Sequence, residues 1–194
     1  MLAAGFADPV RDAQATFRRV LDAFANPGRI VEVGDEGPVP PGPLQPASFA
    51  LALTLLDFET PVWLDVALGC EAVTEALRFH CGCPLTNDPQ AAVFAFVGAP
   101  EAMPALEAFS PGTPDYPDRG ATLVLQVGAL ASDPAVRLAG PGIRDEAALQ
   151  IDGLPGGFWD AWAENHGRFP QGVDLVLVAG EHLVAIPRSI AVGA

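Results

Sequence analysis

Apolar residues recur along the chain with two periods, one typical of helices and one typical of strands. A helix is predicted to begin at Asp8-Pro9, an N-cap followed by proline at the first helical position, and to end at Asn26-Pro27-Gly28. Its apolar positions predict one inward stripe, formed by Val10, Ala13, Phe17, Val20, Leu21 and Phe24. The polar positions predict a solvated face made of Arg11, Arg18, Arg19 and Asp22.

The rest of the chain alternates helical segments with short apolar runs. Further helices are predicted at 47–56, 71–79, 101–109 and 158–166, and strands at 30–33, 62–66, 92–97, 122–127, 173–178 and 183–186. A Pro-rich loop is predicted at 34–46 and mostly irregular structure at 132–157. This alternation, with a hairpin near the end, predicts one α/β domain over residues 1–194, with a mixed sheet flanked by helices.

The composition narrows the classes of function. The chain has 194 residues, of which 50% are hydrophobic, so it can form an ordinary core. It carries 24 acidic and 10 basic residues, a net charge of −14, which argues against nucleic acid or an anionic membrane as a partner. All the basic residues are arginines. Without lysine there is no Schiff base with pyridoxal phosphate (PLP), so the usual covalent form of that cofactor is excluded.

The cysteines and the first residues of the chain indicate the compartment of the protein. Three cysteines, Cys70, Cys81 and Cys83, do not indicate a disulfide framework in a chain of this length. The first residues show neither a basic region nor a long apolar region, and the longest uncharged stretch is rich in proline. We therefore expect a cytoplasmic protein without a membrane span.

One short motif could bind a metal. His80-Cys81-Gly82-Cys83 places three metal-capable side chains within four residues, and Cys70 precedes them by one helix length. Structural zinc sites usually use separated pairs of ligands, because adjacent residues cannot all turn inward without strain. His80 also continues the apolar stripe of its helix. The sequence therefore favours a core histidine hydrogen-bonded at a helix end, and no metal site is expected.

Two other kinds of site remain open. Arg188, Arg78 and the loop containing Gly140 and Gly142 are candidates for binding an anion, although Arg188 could instead form an ion pair and the loop could be a structural turn. Trp159 and Trp162 are candidates for a subunit interface, because large aromatics are enriched there, or they could be core residues.

Seven short segments, taken in order, resemble the PhnH family of the bacterial carbon–phosphorus lyase system. They are PVRDAQATFR at 9–18 with NPG at 26–28, LTLLDFETPVW at 53–63, RFH at 78–80, GT at 112–113, GPGI at 140–143, FPQGVD at 169–174 and IPRS at 186–189. Their shared order extends nearly end to end, from residue 6 to residue 192. Two positions depart from the family pattern: Cys81 stands where a threonine-like residue is expected, and Ser189 where threonine is common.

The resemblance implies a fold like that of PLP-dependent transferases without use of PLP, which the missing lysine fits. It implies action with the G, I and L proteins in making ribose 1-methylphosphonate 5-triphosphate from ATP and methylphosphonate, with release of adenine. It also implies a stable core complex with the G, I and J proteins, and a homodimer when the chain is isolated. It supplies no catalytic residue.

Three functional hypotheses follow. The first is an accessory subunit of a multi-subunit transferase, with no activity alone. The second is a freestanding module that binds an anionic small molecule through Arg188, Arg78 or the Gly140 loop. The third is a freestanding metal hydrolase built on His80, Cys81 and Cys83.

Overall fold

The computed structural model describes residues 2–33 and 37–193. Residues 34–36, where the predicted Pro-rich loop begins, lie outside the described residues, as do Met1 and Ala194. The described part contains the α-helices α1 (Pro9–Ala25), α2 (Pro46–Leu55), α3 (Glu71–His80) and α4 (Phe158–Gly167). Its strands are β1 (Val31–Glu32), β2 (Val62–Leu64), β3 (Leu85–Thr86), β4 (Phe94–Val97), β5 (Thr122–Gln126), β6 (Ala129–Ala139), β7 (Ala147–Asp152), β8 (Asp174–Ala179), β9 (His182–Ile186) and β10 (Ala191–Gly193).

A central sheet of seven strands has the order β1-β9-β8-β5-β4-β2-β3. Strands β3, β2, β4, β5 and β8 are parallel, and β9 is antiparallel to both of its neighbours. The strands at the two edges, β1 and β3, have only two residues each, which leaves little open backbone for unwanted pairing. The architecture is mixed α/β. The finer assignment to a PLP-dependent-transferase-like fold stays a prediction.

The sheet separates two hydrophobic cores. Side chains alternate along β5, so that Val124 enters one core while Leu123 and Leu125 enter the other. Helices α1, α2 and α3 pack on the first side, which we call the three-helix face. Helix α4 and a smaller sheet pack on the second side, which we call the α4 face. Six consecutive residues of α2, from Ala47 to Ala52, are buried, because the helix is covered all round.

Helix α1 has the predicted beginning and end, but its inward face differs from the prediction. The Asp8 carboxylate accepts the backbone N–H of Arg11 at 3.1 Å, and the Asp8 N–H donates to the carboxylate of Asp12 at 2.9 Å, a reciprocal cap. The helix buries Thr16, Val20 and Ala23. Three members of the predicted stripe point outward instead: Val10 is 82% exposed, Phe17 44% and Leu21 51%.

The predicted irregular segment at 132–157 is wrong. Strands β6 and β7 form an antiparallel hairpin there, and β10 pairs with β6 to make a second sheet of three strands. The pairing of β6 with β7 shifts register between Ala131 and Val136. Ser132, Asp133 and Pro134 interrupt the apolar period at this bulge, which hides the strand from sequence reasoning.

The predicted helix at 101–109 is also wrong. Two separate turns of 3₁₀-helix occupy this segment, at Pro100–Ala102 and Leu106–Ala108. Pro104 lies between them, and proline cannot continue a helix because it lacks the N–H and its ring clashes with the preceding turn. Within the described ranges, no helix is both long and apolar enough to cross a membrane.

Candidate functional site

The carboxyl ends of β2 and β4 form the topological switch point of the central sheet. The chain leaves β2 for β3 on one side and leaves β4 for β5 on the other. Ligands of open α/β sheets usually bind in such a crevice. Here the buried carboxylate of Asp65 occupies it, accepting the backbone N–H groups of Gly98, Ala99 and Leu68, each at 2.9 Å. The loop amides that could hold a bound anion are thus used within the chain.

A second polar side chain holds the described part of the Pro-rich loop over the same carboxyl ends of the parallel strands. The amide of Gln126, at the end of β5, accepts the backbone N–H of Gln45 at 2.6 Å and donates to the carbonyl of Pro43 at 3.0 Å. Gln45 in turn accepts the backbone N–H of Gly180 at 2.7 Å. These bonds fix the loop across β5 and the turn after β8, so Gln126 acts as an internal anchor.

Arg188, a predicted anion contact, lies at the other end of the strands from Asp65 and Gln126. Its Nε–H donates to the carboxylate of Asp174 at 3.0 Å, and Nη2–H donates to the second oxygen of the same carboxylate. Its Nη1–H donates to the carbonyl of Pro117 at 2.6 Å. Arg188 is only 8% exposed. These contacts favour a structural role, joining β8 to the loop at 110–120, and anion binding there stays a prediction.

The Gly140 loop is packed against the rest of the chain. Gly140 and Gly142 have φ values of +149° and +86°, which L side chains rarely adopt. A Cβ on Gly142 would lie 2.5 Å from the carbonyl oxygen of Ala25, and one on Gly140 would lie 2.8 Å from Cδ1 of Ile190. This close approach favours the structural-turn alternative. Anion binding by this loop also stays a prediction.

Arg78 is exposed on α3, unlike Arg188. It lines a shallow hollow of about 460 Å³ with Leu2, Glu75 and Phe79. Leu2 and Phe79 are exposed there, so the hollow combines an apolar floor with one positive and one negative side chain. Such a lining suits an amphipathic protein surface better than a small anion. The anion-binding role of Arg78 therefore also stays a prediction.

The His80-Cys81-Gly82-Cys83 motif does not bring its three side chains together. The Nε2–H of His80 donates to the carbonyl of Ala3 at 2.8 Å, and the ring packs edge-on against Phe49. The cysteine thiols face the carbonyl oxygens of α2 and α3 instead. In the part of the chain that the structure describes, no group of three or more His, Cys, Asp or Glu side chains could hold a metal ion. His80 thus holds the N-terminal segment against α3.

The two tryptophans of α4 have different environments. Trp162 has no exposed surface, and its Nε1–H donates to the carbonyl of Ile190 at 3.0 Å. It is a core residue, which corrects its prediction as an interface candidate. Trp159 is half-buried and packs edge-on against Phe158. The interface role of Trp159 stays a prediction.

An apolar stripe on the outer side of α1 is a feature that the sequence did not predict. Val10, Phe17 and Leu21 are seven and four residues apart, so they lie on one line along the helix. The side chains of Arg11 and Arg18 lie beside this line and are also exposed. We call these five residues the α1 outer stripe. Aromatic and arginine side chains are enriched at protein interfaces.

Two buried polar residues were also missed, and both had a weak signal. Asp65 was included in a predicted strand, although a carboxylate directly after three apolar residues indicates a strand end. Gln126 ends an apolar run, where a buried amide needs partners. Those partners come from residues more than 80 positions away in the chain.

Comparison with known proteins identifies the family. The sequence model for "Bacterial phosphonate metabolism protein (PhnH)" matches residues 4–193. This chain belongs to the PhnH family. A PhnH relative from Rhizobium meliloti (strain 1021), named alpha-D-ribose 1-methylphosphonate 5-triphosphate synthase subunit PhnH, is 43% identical over 184 residues, covering 95% of this chain and 92% of the relative.

A second relative comes from Stutzerimonas stutzeri and is provisionally named C-P lyase subunit protein HtxG. It is 31% identical over 179 residues, which cover 91% of this chain and 83% of that protein. Both relatives therefore align with this PhnH-family chain over most of their length, and both are named as subunits. The family resemblance seen in the sequence motifs is confirmed.

Proposed function

We propose that this chain is the PhnH subunit of an alpha-D-ribose 1-methylphosphonate 5-triphosphate synthase, acting in the breakdown of organophosphonates. The observation that carries the proposal is the 43% identity to the synthase subunit, which extends over 95% of this chain and 92% of the relative. In this role the chain acts with the G, I and L proteins on ATP and methylphosphonate, and adenine is released.

An accessory role within that assembly fits the polar groups of the chain. The carboxylate of Asp65, the amide of Gln126 and the guanidinium of Arg188 are buried polar groups at the ends of the sheet's strands, and each binds other parts of the same chain. A group that positions the chain itself is poorly placed to stabilise charge on a substrate. We therefore expect no adenine release from ATP by this chain alone.

The α1 outer stripe is the surface that we assign to the partner subunits of the core complex, the G, I and J proteins. Phe17 supplies a large apolar group with a flanking arginine on the same helix, the combination typical of interface centres. The stripe extends from Val10 to Leu21, twelve residues or about 16 Å of helix. A stripe of this length would form the centre of one side of a standard interface, which involves about 20–30 residues.

Charge indicates a partner other than a second copy. Two α1 outer stripes packed against each other would bring Arg11 and Arg18 of both copies together, and like charges oppose such a contact. A partner surface with apolar residues and carboxylates would complement the stripe. The homodimer of the isolated chain, which remains part of the proposal, would then use another surface.

Two further expectations belong to the proposal. The chain does not carry PLP as an internal aldimine, because no lysine is present to form one. Since ATP is the implied substrate, the assembly is placed in the cytoplasm.

Genetic replacement tests the proposal most simply. A Rhizobium meliloti strain lacking its 43% identical subunit would receive this chain, and growth on methylphosphonate as sole phosphorus source would be measured. We expect growth to be restored, as with the native gene. Soluble, folded expression of this chain without growth, while the native gene restores it, would contradict the proposal.

A binding measurement distinguishes the proposed subunit from the alternative, a freestanding anion-binding module. Titration calorimetry of the purified chain with ATP and with methylphosphonate is expected to show no binding of either at millimolar concentration. Tight binding of one ligand, lost in Arg78→Ala, together with failure to join the G, I and J proteins, would favour the module instead.

A further inference from the structure

Strand β7 lies at one edge of the small sheet, whose strand order is β10-β6-β7. It pairs with β6 on one side, and no other strand of the described residues pairs with it. Beyond this ladder, the described residues add one backbone hydrogen bond to β7, from the N–H of Gly128 to the carbonyl of Asp152 at 2.7 Å. Gly128 directly precedes β6, so this bond lies on the paired side as well. The other side of β7 is therefore an open strand edge.

An open edge leaves backbone groups without partners in the chain. In an antiparallel ladder, the N–H and C=O groups of alternate residues point to opposite sides of the strand. Because β7 has six residues, about three of them direct both groups away from β6. Such groups can bind water, or they can pair with a strand of another chain.

The other strand edges among the described residues are short, and β7 is not. Strands β1 and β3 have two residues each, and β10 has three. The carbonyl of Glu32 in β1 also accepts a hydrogen bond from the guanidinium of Arg19 at 2.6 Å. In β7, the five residues from Ala147 to Ile151 include neither a charge nor a proline, and the extra residues at the register shift belong to β6. β7 thus lacks the features that usually protect an edge from pairing.

We propose that β7 accepts an extended segment of a partner subunit as a fourth strand of the small sheet. The inference rests on the function proposed above, which gives this chain its partner proteins. In this mode of recognition, main-chain hydrogen bonds supply affinity and alternate side chains supply specificity. The added strand would be a second contact beside the α1 outer stripe.

The side chains of β7 indicate what the added strand should carry. Leu149 is buried in the core of the α4 face, and Ala147 and Ile151 on the same side of the strand are half-buried. Apolar side chains at every second position of the added strand would cover these edge residues. A basic residue would complement Asp152, which is exposed at the end of β7.

The position of β7 favours a partner that also contacts α1. A Cβ on Gly28, just after α1, would lie 3.0 Å from the Cβ of Ala147, so β7 begins beside the end of that helix. Arg144 lies in the turn before β7, outside the residues that would pair. A second copy of this chain is a poorer occupant, because each copy carries a net charge of −14 and the same Asp152.

Hydrogen exchange tests the pairing in the full chain. The isolated chain, and its complex with the G, I and J proteins purified by gel filtration, would be labelled briefly in deuterium oxide, digested with pepsin and analysed by mass spectrometry. In the isolated chain about half of the six β7 amides should exchange quickly, because they face solvent. In the complex, residues 147–152 should take up about three fewer deuterons, and residues 191–193 of β10 should be unchanged.

Adjacent proline variants separate strand pairing from a simple surface contact. Gln150→Pro and Ile151→Pro each remove one N–H, of which one faces β6 and the other faces outward. The variant that loses the inward group should be less stable. The variant that loses the outward group should keep the hairpin and weaken affinity for the partner complex by about 10-fold, relative to alanine at the same position.

Three results would overturn the inference. A complex in which β7 exchanges as it does in the isolated chain would overturn it and leave the proposed function intact. Failure of the folded chain to form a complex would overturn both. Protection of β7 that rises with the concentration of the isolated chain would show that a second copy occupies the edge. The wild-type exchange decides these results, so they do not depend on whether a proline variant folds.

Discussion

Helices α1 and α4 lie on opposite faces of the central sheet, and one aromatic side chain from each helix shows how the two faces differ. On the three-helix face, Phe17 of α1 points outward and is 44% exposed. On the α4 face, Trp162 is completely enclosed and its N–H is bound to the carbonyl of Ile190. The α4 face is sealed by the small sheet of β6, β7 and β10, whereas no further layer of the described residues covers the outer side of α1.

The difference shows that the role of an apolar side chain depends on whether another layer of the same chain covers it. Helix α4 lies under the C-terminal segment around Ile190, so a tryptophan there completes the core of the chain itself. Among the described residues, helix α1 is the outermost layer, so Val10, Phe17 and Leu21 on its outer side are left for another molecule to cover. Variants in the two helices should therefore separate stability from assembly.

The largest expected effect belongs to Trp162. Trp162→Ala should lower the free energy of unfolding by about 3–5 kcal/mol, because a fully buried ring is replaced by a cavity and the carbonyl of Ile190 loses its donor. Urea unfolding followed by circular dichroism measures this. Trp162→Phe keeps most of the volume and should cost clearly less. A loss below about 1 kcal/mol in the alanine variant would show that Trp162 does not complete the core.

Phe17 should show the reverse behaviour. Phe17→Ala should change the free energy of unfolding by less than about 1 kcal/mol, yet weaken binding to the G, I and J subunits by roughly 30-fold. Biolayer interferometry with the purified partner complex measures the affinity. Phe169→Ala, which removes a similarly exposed phenylalanine just after α4, is the matched control and should leave affinity unchanged. Equal effects of the two variants would argue against the α1 outer stripe.

A smaller effect is expected from the arginines of the stripe. Arg18→Glu should slow association with the partner complex by about 10-fold at low salt, and this difference should shrink as salt screens the charges. Arg144→Glu reverses an exposed arginine in the connection between β6 and β7 and serves as the control. If both reversals slow association equally, the effect arises from the net charge of the chain rather than from the stripe.

The smallest effect on assembly is expected from Trp159, which is half-buried beside Phe158. Trp159→Ala should lower the unfolding free energy by less than Trp162→Ala does, and by about 1–2 kcal/mol. If the α1 outer stripe forms the contact, affinity for the partner complex should not change, and the predicted interface role of Trp159 would be wrong. A loss of affinity without a loss of stability would return Trp159 to the interface and move the contact to the α4 face.

Much of the architecture could be predicted from local sequence because its signals are local. The cap at Asp8, the proline at position 9 and the break at 26–28 set the bounds of α1, and the continuous apolar runs set β4, β5, β8 and β9. Periodicity identifies an apolar side of α1, but it cannot tell whether that side meets the sheet or a partner. The structure buries Thr16 and Ala23 instead, because small side chains let α1 approach its neighbours closely.

The candidate site was less predictable because its bonds join distant segments. The Asp65 carboxylate binds amides more than 30 residues away, and Arg188 reaches Pro117 across 71 positions. Sequence alone shows an arginine after a strand, but only the fold shows that Asp174 and Pro117 already occupy it. The family motifs, in contrast, did not depend on these contacts, and the family match confirms them.

Hydroxyl-radical footprinting of the free chain and of its complex with the G, I and J subunits tests the account most directly. Oxidation of Phe17 and Leu21 would be followed by mass spectrometry, with Trp162 as the buried reference and Phe169 as the exposed one. We expect Phe17 and Leu21 to be labelled in the free chain and strongly protected in the complex. Trp162 should be unlabelled in both states, and Phe169 labelled in both. Equal labelling of Phe17 in the two states, with protection of Phe169 on assembly, would contradict the assignment of the α1 outer stripe.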